Sequence, residues 1–261
     1  MKFYFKQEMR RALYSKNMII AIVLSCICMF SGILLGNFYV EKKDAVYYFM
    51  LAHSLGRTSL LSLLGPVIVS LPFAASFLED KDSGFLKLIL LKISRKKYLL
   101  TRIISNAIAG ALSITVPLII VFIFYSLIYG VKTGGMAAGK YAGDLDWLSV
   151  NKPVLFVIVI LVLSFIFGIV ISTLGLGLST VIKSKYLTII LPFLFSIFTG
   201  TVFQYFGINK IFDFELAGLF DFNLTGLVNL RHILLYDSIL CLLGILLFVN
   251  FSRGKNGDKI E

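Results

Sequence analysis

Six stretches of this chain are almost free of charge and long enough to cross a bilayer: residues 18–38, 59–78, 103–130, 153–182, 186–206 and 233–251. A helix rises ~1.5 Å per residue, so the ~30 Å hydrocarbon core of a membrane takes ~20 residues. Within 261 residues, 58% are hydrophobic, 15% are charged and the mean hydropathy is +0.92. A water-soluble fold of that length has too little interior to hide so much apolar surface. The expected fold class is therefore all-α: one polytopic membrane domain over 1–261 with six transmembrane helices. The first run follows a basic stretch, as a secretory signal would. Its length exceeds a usual signal core, and it is read as a retained span. The three cysteines, two of them in one apolar run, give no disulfide framework.

Lys and Arg set the expected orientation. Residues 1–17 hold five basic side chains and one acid, 79–102 seven and three, 183–185 two and none, and 252–261 three and two. Together these segments account for the whole formal charge of +11. The alternate segments 39–58, 131–152 and 207–232, together with Asp237, are neutral in sum. Six spans with both termini cytoplasmic put all the excess positive charge on one side. No nucleic acid is expected as a partner, and the lipid bilayer is.

"GGMAAGKY" at 134–141 approaches the phosphate-cradling pattern G-x-x-x-x-G-K-[ST] at Gly134, Gly139 and Lys140. Tyr141 stands where the Mg²⁺-binding hydroxyl belongs. The orientation puts this loop outside the cell, and a membrane run precedes it where the motif needs a strand. It reads as a Gly-rich loop, and the chain has no other copy of the motif. Catalytic chemistry is scarce as well. His53 falls in an outer loop, and His232 and Asp237, five apart, do not share a helix face. The chain is expected not to be an enzyme, to hold no catalytic or metal site, and to carry no cofactor of its own. Five of the six runs carry no ionisable group and Asp237 is read as lying near the outer surface, which disfavours an ion-driven carrier.

The most informative stretch is "FLEDKDSGFLKLILLKISRKKYLLTR", 77–102. Asp82 or Ser83 can cap a helix there, with Glu79 and Asp80 in its approach. Seven of the nine residues 85–93 are then apolar. That is ~13 Å of helix, too short to span and too greasy for the cytosol. Ser94 breaks it, and Arg95, Lys96, Lys97 and the interfacial Tyr98 follow. A basic interfacial helix explains the charges, and a docking knob for a cytoplasmic partner explains the large apolar residues too.

Here the chain resembles a family. The basic N-terminal segment, six runs and an acidic-Gly-apolar-"ISRKKYLL" loop between the second and third are similar to permeases of type-2 ATP-binding-cassette transporters, the type V exporter fold. The resemblance covers essentially the whole chain and is most specific over 79–102. It implies that this loop forms a coupling helix seated in a separate ATPase subunit, with Gly84, Phe85, Leu88, Ile89 and Lys92 as the docking face. Glu79 and Asp80 would mark the end of span 2, and Ser94 and Arg95 would turn the chain into span 3. It further implies a second permease chain, identical or not, a multi-pass place in a bacterial cell membrane, and ATP and Mg confined to the partner ATPase. The cargo class would be an amphipathic peptide or hydrophobic compound. The competing class is an ATP-independent secondary carrier or a membrane scaffold.

Other segments take their meaning from that resemblance. Residues 1–17 read as an interfacial helix with Phe5, Met9 and Leu13 on its apolar face. Pro66, Pro72, Pro117 and Pro192 permit bends in spans 2, 3 and 5. The translocation path implied for spans 2 and 5 takes in Pro66, Pro72, Phe73, Phe193, Phe198, Phe203 and Gln204. Ser164, Gly168, Ser172, Gly175 and Ser179 form a small-residue stripe expected to pack inside the chain. Segment 207–232 is too apolar for a solvated loop and resembles a re-entrant outer gate, and 252–261 is a cytoplasmic tail.

Overall fold

The computed structural model describes residues 2–36, 43–53, 59–132, 145–208, 214 and 230–252. The Gly-rich stretch 134–141 lies outside the described residues, as do most of 207–232 and all but Ser252 of the tail. Among the described residues there is no strand. Helices α1 (Lys2–Leu13) and α2 (Lys16–Leu35) are separated where the Ser15 side chain accepts from Met18 N–H and caps α2. α3 (Ala45–His53) and α4 (Leu60–Ser70) follow. Around Pro72 the chain turns, then resumes as α5 (Ser76–Asp82), so the expected second span is a broken helix. α6 (Phe85–Lys92) is the short loop helix, and α7 (Arg95–Tyr129) runs through Pro117 for 35 residues. α8 (Asp146–Asn151) leads into α9 (Pro153–Leu178), with proline at the first turn where its missing N–H costs nothing. α10 (Lys185–Phe198) passes into a π-helical turn, Thr199–Phe203, and α11 (Leu230–Phe251) closes the described chain.

Five of these segments are long and apolar enough to cross a membrane: α2, α7, α9, α10 with its π turn, and α11. That is the make-up of a multi-pass helical membrane protein. The α4 helix is apolar but has only 11 residues.

The centre is α9, packed between α7 and α11. Its small-residue stripe lets backbones meet, as expected. A Cβ on Gly168 would lie 2.5 Å from Ala111 Cα, one on Gly175 would meet Ala74 and Ser70, and one on Gly177 would lie 2.4 Å from the Gly244 carbonyl oxygen. The stripe is therefore spent on contacts inside the chain.

One element runs against the sequence reading. His53 does not sit in a solvated loop: it ends α3, which is buried at every residue but Tyr48, and its Nε2 lies 3.1 Å from Ser164 Oγ. The Asp44 carboxylate caps α3 by accepting from Tyr47 N–H and also accepts from Lys132 N–H at the end of α7. Tyr48 stacks against both Tyr125 and Tyr129, at 4.6 and 4.7 Å between ring centres. A short helix is thus clamped to a long one by its cap and its aromatic rings.

Candidate functional site: a buried ion cluster beneath an exposed apolar helix

At one end of the bundle α1, α5, α6 and the start of α7 come together with the end of α11. About 52 Å long, α7 exceeds the hydrocarbon core, so its first turns have room to project beyond it. Those turns place Tyr98, Arg102, Ser105 and Asn106 on one face, all buried. Arg102, the largest fully buried side chain among the described residues, is the hub. Its Nη2 donates to Asp80 Oδ2, and its Nη1 lies 3.1 Å from Glu8 Oε2. The guanidinium lies between two aromatic rings, 5.0 Å from the centres of both Phe73 and Tyr98. A second cation closes the set: Arg11 pairs with Asp80 at 2.7 Å, and its guanidinium lies 5.8 Å from the Phe73 ring centre. At the rim Arg11 stands 3.7 Å from Glu79.

Two carboxylates and two guanidiniums make a neutral set, which is what allows charge to be buried at all. Arg suits the hub because its planar fork serves two carboxylates at once while its faces stack on rings. Burial, and next to it the Glu8 carboxylate, pushes the Tyr4 phenol up, so Tyr4 faces the cluster protonated. The cluster joins three segments distant in sequence: the first helix, the end of the broken segment, and the start of the longest helix.

Helix α1 is oriented by its acid. Phe5, Met9 and Leu13 are only half-buried, whereas Glu8 and Ala12 are the buried residues, Ala12 beside Phe73 and Ala109. The helix turns its acid, not its apolar stripe, into the protein, because Arg102 waits there. The signal was in the sequence: Tyr98, Arg102, Ser105 and Asn106 fall at spacings of four, three and one, a polar face on an otherwise apolar helix.

Helix α6 stands on this base. Gly84 begins it in a left-handed conformation, φ +74°, which an L side chain adopts only under strain; the cap position therefore falls to Gly84 and not to Asp82 or Ser83. The Ser83 hydroxyl reaches Phe85 N–H only at 3.5 Å. At the other end Ile93 is extended and stops the helix. Of the expected docking residues, Gly84, Phe85, Leu88 and Lys92 are exposed. Ile89 turns inward, 7% exposed, against Phe77, Tyr98, Leu176 and Phe248. Leu91, which the sequence reading omitted, is 79% exposed. Tyr4 and Gln7 of α1 join Phe85, Leu88, Leu91 and Lys92 around an open cavity of about 350 Å³. Glu79 is partly exposed and Asp80 buried. Ser94 is exposed, and the Arg95 guanidinium donates to Ser252 Oγ at 2.8 Å, tying the start of α7 to the end of α11.

The residues read as a translocation path do not form one lining. Pro66 and Pro72 are buried, and Phe73 is spent beneath the two arginines. Phe193 is half-buried, Phe198 and Gln204 are exposed, and Phe203 stacks edge-on with Phe198 and Phe214. Among the described residues no group of His, Cys, Asp or Glu is placed to hold a metal ion. Compared with models of known protein families, the chain matches none, and no curated protein matches it.

Proposed function

We propose that the chain is the membrane permease subunit of an ATP-driven exporter, and that α6 is where a separate cytoplasmic ATPase takes hold. In this reading the broken α4–α5 segment, residues 60–82, makes a sixth crossing, both termini face the cytoplasm, and the lysines and arginines around α1, α5, α6 and α7 mark the cytoplasmic end. The observation that carries it is α6 itself. It is a short helix too apolar for water, with Phe85, Leu88 and Leu91 outward and Ile89 packed inward in one cluster with Tyr98, the ring that covers the buried Arg102. Exposed apolar patches of this kind mark interaction sites. An amphipathic helix offers such a partner anchors at successive turns, and the cluster beneath gives a push on α6 a rigid route into α7. A second permease chain completes the pathway, and the cargo is an amphipathic peptide or hydrophobic compound in a bacterial cell membrane.

The test is a cross-link. With Leu88 replaced by Cys, cross-linking in native membranes is expected to join the chain to a protein carrying G-x-x-x-x-G-K-[ST]. Adducts to lipid alone, or to a second copy alone, overturn the reading. The competing class, a carrier that needs no ATP, draws its support from one carboxyl group in α11.

A further inference from the structure

Asp237 is the one carboxylate in the five membrane-length helices. It is the eighth residue of α11, about 10 Å from the helix start, so it lies two turns inside. Only 3% of its surface is exposed, and neither oxygen has a hydrogen-bond partner among the described residues. Helix α9, packed along α11, carries no titratable or charged residue from Pro153 to Leu178. On α11 itself Arg231 is exposed and His232 half-buried, both more than a turn toward the helix start. The Tyr236 hydroxyl is committed to the Phe214 carbonyl, and Cys241 lies one turn on.

An ionised carboxylate without a partner in such surroundings is too costly to persist, so the site must take up a cation. A hard metal ion needs about six oxygens, and among the described residues no group of acids, histidines or cysteines joins Asp237 to hold one. An organic cation needs an opening, and Asp237 is only 3% exposed. The ligand that remains is the smallest one.

We propose that Asp237 is a proton-binding site of the last long helix, occupied while α9 and α11 are packed together. The step is a simple exchange: the carboxyl group O–H bond breaks, the proton passes to water, and a carboxylate is left. It happens only when the α9–α11 seam opens, and that seam is tight. A Cβ on Gly244 would lie 2.7 Å from the Thr173 carbonyl oxygen, so the helices cannot admit water between them without separating. Any motion that parts them therefore releases a proton, and their closure takes one up. This inference rests on the helices lying in a membrane and not on any ATPase partner.

Infrared spectroscopy on the full chain in lipid vesicles tests it. Asp237→Asn has the shape of the neutral acid and should fold normally. Difference spectra of wild type against Asp237→Asn need no reagent access, and they are expected to show the carbonyl stretch of a protonated carboxyl at neutral pH. A carboxylate band assigned to Asp237 in the packed state would overturn the proposal.

Discussion

The two halves of this molecule are held together by opposite means. At the basic end, α1, α5 and α7 meet through ions: Glu8, Arg11, Asp80 and Arg102 are paired with one another between the rings of Phe73 and Tyr98. Through the middle, α7, α9 and α11 meet through near-absence of side chain, at Gly110, Gly168, Gly177 and Gly244. In lipid there is no hydrophobic effect left to press helices together, so close backbone approach has to do it. Toward the end of the bundle, charge can be buried provided it is matched, and matching gives direction: one arginine fixes two partner helices in one orientation. The comparison teaches where a signal could travel. The glycine seams resist sliding over many residues, whereas the ion cluster has few members and reaches α6 through Tyr98, which touches Arg102 and packs in one apolar cluster with Ile89.

The comparison is broken most severely at its hub. Arg102→Met should leave two buried carboxylates to share Arg11 alone and cost about 4 kcal/mol of stability, read as loss of folded protein in detergent. Joining Glu8→Gln to it restores neutrality, with Arg11 still paired to Asp80, and should recover most of that loss; if the double variant is no better than the single, the cluster is not the neutral set described. Somewhat smaller is the effect of overfilling the seam. Gly177→Val, whose Cβ must displace the Gly244 backbone, should cost about 3 kcal/mol. A thermal melt unchanged by it would refute the close approach of α9 and α11.

On the surface the effects fall away and separate stability from docking. Phe85→Asp with Leu88→Asp should shift stability by less than about 1 kcal/mol, since both side chains are already half-exposed or more. Ile89→Asp, one residue from Leu88 but facing Phe77 and Phe248, should unfold the local structure instead. That contrast sharpens which face of α6 is base and which is free. Least of all, Glu79→Gln should change stability by about 0.5 kcal/mol or less, because its pairing with Arg11 is partly in solvent.

Much of this was legible beforehand, and the exceptions have physical causes. The long helices stood out because hydropathy over twenty residues is a strong signal, and the break at Pro72 because proline cannot continue the hydrogen-bond ladder. α6 was legible as apolar residues too few to span. What the sequence hid were the pairings. Nothing near Glu8 announces its pairing, because its partner Arg102 lies 94 residues away, and Ile89 read as outward because nothing local reports Phe77 and Phe248. α3 was taken for loop, since nine residues holding tyrosines and a histidine give no membrane signal, and only the clamp on α7 explains its burial. Phe73 was assigned to a path on fold resemblance, and nothing local in the sequence announces its contact with Arg11 and Arg102.

The central claim is that the outward face of α6 holds an ATPase which this chain lacks. Purification of the full chain from its native membranes, with the ATPase that accompanies it quantified for wild type and for the Phe85→Asp, Leu88→Asp pair, addresses that most directly. The account predicts one nucleotide-binding chain retained by wild type and lost by the pair, with the pair variant's thermal melt intact. Equal retention by both, or a wild-type chain that brings no such protein with it, would contradict the account.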